Sequence, residues 1–391
     1  MKSKRISHDS GLDALSCDDI LCNILFRLPP ESVFKFITVS KKWLHLICSP
    51  SFRHSYLSWW KTNSRLLGFF VCNSSYLGRS RDGVRRPKSE PALLLLSTCE
   101  EGDDLTFSGI LKQLGYFIDS SNGFLLCGRH PKTYYVWNPN TKEKYQLPRP
   151  RVYFEELCMA FMVEECPDGS VCYKVIRAKC DRILDEVNTV TIESFSSDTT
   201  TWSYSTLTCS STLSLSPRTV ATVIGGVIHW YAEHGNVAIY KPDDEDRHIE
   251  LIKLPGSYDC DEKVLGESFD GLLQYGESTE SGMAIWVLER EPSGSIFKWN
   301  LRCKLKFKTM WKKNPTPMIK FSSKETQILS FLPQNSESVF IRSGCHVFLY
   351  HFESERVELV HYNGRGSFIS WDLCRVVPYF IPAWPYSSLC R

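Results

Sequence analysis

The chain has 391 residues, 42% of them hydrophobic and 23% charged, a composition that fits a soluble globular protein of two or three domains or one large repeat-built domain with an attachment. Its net charge of +2 excludes a chain-wide attraction to nucleic acid or to an anionic membrane. No apolar run approaches the roughly eighteen residues of a membrane-spanning helix, and the aromatic share of 13% suits a large β core or a protein-binding face.

The opening "MKSKRISHDSGLDAL" lacks an apolar stretch of signal-peptide length, which predicts a protein kept inside the cell, cytoplasmic or nuclear. Residues 1–12 read as a disordered leader. The 16 cysteines contain no CxxC pair, and the tightest group, Cys158, Cys166, Cys172 and Cys180, is too widely spaced for a zinc knuckle. Reduced, mostly buried thiols are therefore expected.

From Leu15 the pattern is helical. Ile20, Leu21, Ile24, Leu25 and Leu28 draw one apolar stripe, Ser16 can cap the first turn, and Asp18 and Asp19 suit its positive end. Pro29-Pro30 stops this helix. A second short helix is predicted from Glu31 to about Thr38, with Val33, Phe34, Phe36 and Ile37 apolar. A third runs from about Lys41 to Ile47, with Trp43, Leu44 and Ile47 apolar, and ends at Ser49-Pro50. Three such helices carry more apolar surface than they can hide among themselves, so the surplus needs a neighbour.

The ordered set Leu15, Ile20, Ile24, then "LFRLPPESVFKFITVSKKWLHLICSPSF", resembles an F-box over residues 13–57, with Ser16 standing where the family usually has Pro. That resemblance implies docking on the Skp-type adaptor of a cullin–RING ubiquitin ligase. Carried over position by position, the contacting residues would be Leu15, Ile20, Ile24, Leu28, Pro29, Val33 and Phe36. Trp43 would both lock the third helix inward and lend a face to the interface.

After a linker at 58–65 the period changes. Strand-like runs separated by Gly, Asn, Asp and Pro fill the remainder, and they repeat. Segments 119–148, 223–255, 268–289 and 328–360 share an order of Gly-containing turn, apolar strand and hairpin, and "CYKVIRAKC…NTVTIESFSSDTTTWSYST" adds paired strands between the first two. Four-stranded units of about 40–50 residues predict the blades of a degenerate β-propeller over 66–391, with a β-sandwich as the alternative. The fold class is thus mainly β with a small N-terminal α unit. The pieces "DSSNGFLLC…YYVWNPNTKEKYQLPRP", "GGVIHW", "LGESFDGLL" and "PYFIPAWP" resemble the F-box-associated domain of plant F-box proteins. This implies a substrate-recruiting β domain and an unnamed protein target.

Other stretches carry weaker signals. "NSSYLGRSRDGVRRPKSEP" reads as a mobile basic loop, and "PDDEDR" and "YDCDE" as solvated acidic turns whose spacing matches no calcium loop. "LRCKLKFKTMWKK" alternates, which predicts a strand with Leu301, Cys303, Leu305 and Phe307 on one face and a cationic row of Arg302, Lys304, Lys306 and Lys308 on the other. Such a row either contacts an acidic substrate tail or protects an edge strand. His229 and His234 lack companions at metal-ligand spacing and are expected to be structural.

No GxSxG, Walker or HExxH motif is present, so no cofactor and no catalytic residue is expected. The combined expectation is a non-catalytic adaptor that holds a substrate near a ubiquitin-carrying enzyme by proximity. A ligase-independent scaffold, a lectin-like binder and a propeller hydrolase are the rivals.

Overall fold

The computed structural model describes residues 18–28, 30–62, 66–73, 92–95, 114–129, 133–139, 141–165, 171–180, 187–216, 221–256, 262–290, 297–315, 326–332, 335–344, 346–362 and 374–380. The leader, Leu15, Ser16, Pro29 and most of the basic loop and of "YDCDE" lie outside them. The chain divides into two units, the first spanning Met1–Arg65 with Phe380–Tyr386, the second Leu66–Tyr379 with Ser387–Arg391.

The first unit contains four described helices: α1 (Asp18–Phe26), α2 (Pro30–Phe36), α3 (Lys41–Ile47) and α4 (Pro50–Thr62). The third has the bounds its sequence predicts, opened by Ser40, whose hydroxyl accepts from the Trp43 amide. The fourth corrects the expected linker at 58–65 and the expected end of the helical unit at 57. Pro50 does not simply terminate a helix; it occupies the first turn of a new one, where its missing N–H costs nothing. The Ser49 hydroxyl accepts from the Phe52 amide as the cap. Helix α4 completes the core, because Phe52 and Tyr56, one turn apart, pack with Leu25, Val33 and Ile47. Phe26 stacks on Phe52 at 5.2 Å, and the Tyr56 hydroxyl donates to the Leu28 carbonyl at 2.8 Å, satisfying one acceptor left open just past the end of α1.

The second unit is built from antiparallel meanders. Its four-stranded sheets are β3–β6 (Tyr116–Ser121, Phe124–Arg129, Thr133–Trp137, Lys144–Gln146), β15–β18 (Glu262–Glu267, Leu273–Thr279, Gly282–Arg290, Phe297–Lys306) and β19–β22 (Thr326–Phe331, Ser338–Ser343, His346–His351, Arg356–Tyr362). Two further meanders are β7–β10 (Leu157–Glu165, Val171–Lys179, Thr189–Ser196, Thr201–Cys209) and β11–β14 (Thr222–Ile224, Val227–Ala232, Asn236–Tyr240, His248–Lys253). Their outer strands join through a short parallel pairing of β10 with β14, making one 8-stranded sheet. A 3-stranded sheet of order β2-β1-β23 joins β1 (Leu66–Asn73) and β2 (Ala92–Leu95) to β23 (Cys374–Phe380), so the two ends of the unit share a blade.

The first strands of successive meanders lie against one another: β3 on β7, β7 on β11, β11 on β15 and β15 on β19. This is the β-propeller arrangement, and it disposes of the sandwich alternative. Burial is deepest in the middle strands of the blades, while first strands such as β15 are half-buried throughout. Strand β20 is buried at every position, whereas outer strands such as β14 alternate. A strand covered on both faces reads as a nearly continuous apolar run. Tight turns follow the local chemistry: Asn122-Gly123 has φ of 45° and 79°, and Gly225-Gly226 has 54° and 76°, the left-handed pair that a two-residue hairpin requires.

Two other glycines work by close approach. A Cβ on Gly276 would stand 2.4 Å from Ile328 Cδ1, and one on Gly266 would stand 2.7 Å from the Phe331 ring. Gly266 lies within β15 and lets the neighbouring blade in. Cysteine chemistry needs one correction too. Cys172 is disulfide-bonded, while the other seven described cysteine side chains are free. Cys127, wholly buried, has its thiol pushed up to about 12 by desolvation.

A buried ion pair fastens the segment entering the second meander. Arg177 on β8 donates to Glu193 on β9, and both side chains are excluded from solvent. The Glu193 carboxylate also accepts from the Arg151 amide at 2.6 Å and the Val152 amide at 3.3 Å, while Arg177 donates to the Val152 carbonyl at 3.1 Å. The guanidinium lies 5.1 Å from the Phe154 ring centroid, 5.7 Å from Tyr134 and 5.8 Å from Trp202. Trp202 in turn donates to the Pro148 carbonyl.

Candidate functional site

Among the residues expected to dock a partner, the helical unit separates two groups. Val33 is fully buried in the unit's own core, so it holds the helices together and presents nothing outward, which corrects its assignment as a contact residue. Leu28, Phe36 and Trp43 are half-buried, and Phe36 packs on Trp43 at 4.9 Å, the inward lock expected of that tryptophan. Ile20 and Ile24, one turn apart on α1, are 42% and 43% exposed, while their neighbours Leu21 and Leu25 are fully buried. The helical period explains this: α1 has apolar residues on two faces, and the core of this unit covers one of them. Leu15 and Pro29 lie outside the described residues.

Three further apolar residues of the unit, not named as contact residues from the sequence, are exposed: Val39, after α2, Leu44 on α3 and Trp59 on α4. The signal for Leu44 was available, since it follows Trp43 by one position and so points about a quarter turn away from that inward-packing ring.

The cationic row at 302–308 does not form one face. Strand β18 ends at Lys306, and Phe307–Lys313 is a helix, α5, that carries Lys308. The register against β17 shifts between Ile285 and Trp286, so that Ile285 faces Cys303 and Trp286 faces Leu301. Arg302 is the extra residue of that bulge, and Leu301 is 55% exposed instead of buried. Lys304 and Lys306 remain exposed on a strand that ends its sheet, as the edge-protection reading requires.

His229 is buried on β12, its Nδ1 3.1 Å from the Thr222 carbonyl, and desolvation holds its pKa down at about 4. His234 takes φ of 60° in the turn before Gly235. Among the described residues no group of three or more His, Cys, Asp or Glu side chains is placed to hold a metal ion. No described helix is long and apolar enough to cross a membrane.

Comparison with known proteins agrees with this division. The F-box domain family matches residues 17–55, and the family described as "F-box protein At3g26010-like, beta-propeller" matches residues 105–361. The F-box protein At5g03970 of Arabidopsis thaliana is 53% identical over 379 residues, covering 96% of this chain and 90% of that protein. F-box protein At5g49610 of the same plant is 26% identical over 75% of this chain and 82% of its own length, and F-box protein At5g07610 is 25% identical over 75% and 72%. Helices α1–α4 supply the first family's module and the meanders β3–β22 the second's. This chain belongs to the F-box proteins, as an F-box followed by an At3g26010-like β-propeller.

Proposed function

We propose that this protein is a substrate-recognition subunit of a cullin–RING ubiquitin ligase, docking on the Skp-type adaptor through its F-box and holding a protein target with its β-propeller. The observation that carries the reading is the pair Ile20 and Ile24. They are exposed on α1 although the rest of the unit has closed a complete core around Leu25, Val33, Ile47, Phe52 and Tyr56. Covering each exposed fraction would contribute about 1–2 kcal/mol, and Leu28, Phe36 and Trp43 would add partly buried surface to the same contact. The chain itself then needs no catalytic group, because bringing a target near a charged ubiquitin carrier raises its effective concentration. The work would be done in the cytoplasm or nucleus, where the ligase core resides.

The test is co-purification with a Skp-type adaptor. Ile20→Glu with Ile24→Glu should abolish capture while leaving the circular dichroism spectrum and the unfolding midpoint near those of the wild type. Undiminished capture by that variant, or none by the wild type, would refute the docking and favour a scaffold that acts outside the ligase.

A further inference from the structure

Strand β10 is paired on both sides only at its last two residues. Its parallel contact with β14 is limited to Thr208 opposite His248 and Cys209 opposite Ile249, with the Thr208 amide donating to the Arg247 carbonyl. From Thr201 to Leu207 the same edge pairs with no described strand, because the β13–β14 turn at 241–247 diverges from it. Next to that edge, over one face of β8, β9 and β10 and under the turn, lies an open groove of about 490 Å³.

The register makes the groove floor polar. Ser196 stands opposite both Thr201 and Lys174, and Ser194 opposite Ser203, so these side chains share one face of β8, β9 and β10. Ser205 extends the same row. The facing lip is the turn with Asp243, Asp244 and Glu245, together with Arg247. Lys174 already pairs with Asp243 at 2.6 Å. Asp244 and Glu245 are exposed and outnumber the remaining cation, Arg247. An anionic ligand would face these carboxylates. A cationic side chain would find them with a floor of hydroxyl acceptors below.

We infer that this inter-blade groove binds an extended, lysine- or arginine-bearing peptide, which adds along the open edge of β10 and places its basic side chains between the hydroxyl floor and the Asp244–Glu245 lip. Main-chain pairing with the edge gives affinity without regard to sequence, and the alternate side chains facing the lip give preference for positive charge. The inference rests on the reading of the propeller as the part that recruits a protein target, and it names the kind of segment recruited.

The experiment is fluorescence anisotropy on the purified full-length chain. The probes are a labelled peptide of about ten residues with Lys at alternate positions between Thr and Val, its Glu counterpart, and a soluble chito-oligosaccharide. The Lys peptide should bind saturably, and the other two should not. Asp244→Lys with Glu245→Lys on the lip, and Ser203→Tyr on the exposed floor, should each weaken that binding at least about tenfold. Both changes fall on exposed side chains, and each variant's unfolding midpoint and adaptor capture should match the wild type. No saturable binding of the Lys peptide, equal binding of the Glu peptide, binding of the sugar alone, or full binding by both variants would overturn the inference. Adaptor docking fails or stands separately, through the Ile20 and Ile24 variant.

Discussion

Replacing Glu193 with Ala tests how the second blade is held. The substitution removes the acceptor for the Arg151 and Val152 amides and for the Arg177 guanidinium, and leaves that cation wholly buried. Breaking a buried pair from one side costs about 3–5 kcal/mol, because the remaining charge has lost its compensation. Unfolding entropy near 2.1 cal/mol/K per residue over the roughly 300 residues of the β unit gives about 0.6 kcal/mol/K, so a loss of about 4 kcal/mol lowers the melting temperature by roughly 6 °C. Arg177→Met should cost less, since Glu193 keeps its two amide donors, although the contact of the guanidinium with Tyr134, Phe154 and Trp202 is forfeited. The double variant Arg177→Met with Glu193→Ala should be more stable than the sum of the single losses, since neither buried charge remains. Calorimetry and urea titration of all three variants measure the cycle. A shift below about 1 °C for Glu193→Ala, or strict additivity, would refute the claim that the pair's worth lies in mutual charge compensation.

Two further outcomes follow from the packing. Gly276→Ala should destabilise by about 1–3 kcal/mol, because its Cβ would meet Ile328 Cδ1. Adding Ile328→Val, which removes that carbon, should restore part of the loss in urea titrations. His229 sets a pH dependence of known sign: its pKa is about 4 when folded against an ordinary 6.5, so the unfolded chain binds more protons between those values. Its contribution is complete above the unfolded value and falls by roughly 3 kcal/mol as pH drops through that window, so His229→Gln should flatten the unfolding midpoint between those pH values.

The helical unit shows how far local pattern reaches. Helix α3 has the bounds that the run Lys41–Ile47 predicts, because a capping serine and a closing turn are local signals. Helix α4 was as plainly written, in Ser49-Pro50 and in Phe52 and Tyr56 one turn apart, but a proline reads equally as a stop and as a first turn. Which of the two holds depends on a core for Phe52 and Tyr56 to enter, and Leu25, Val33 and Ile47 supply it. For the same reason Val33 and Ile24, both apolar at helical spacing, could not be told apart: one faces the core and the other solvent.

In the propeller, the alternation of turns and short apolar runs located five meanders, since hairpin pairing joins neighbours in sequence and leaves a periodic trace. The cationic row at 302–308 failed because one residue of bulge, set by the pairing of β17 with β18, reverses which side chains share a face. The sharing of one sheet by β1 and β23 joins opposite ends of the unit and leaves no local mark. The groove beside β10 has the same origin: its hydroxyls and its acidic lip lie about forty residues apart, and the divergence of two outer strands brings them together. Sequence by itself determined the module order, the blade repeat and the composition of each turn, because these depend on contacts between near neighbours. Tertiary structure alone decided which apolar faces remain uncovered and which polar groups converge, because those depend on contacts between residues that the chain keeps far apart.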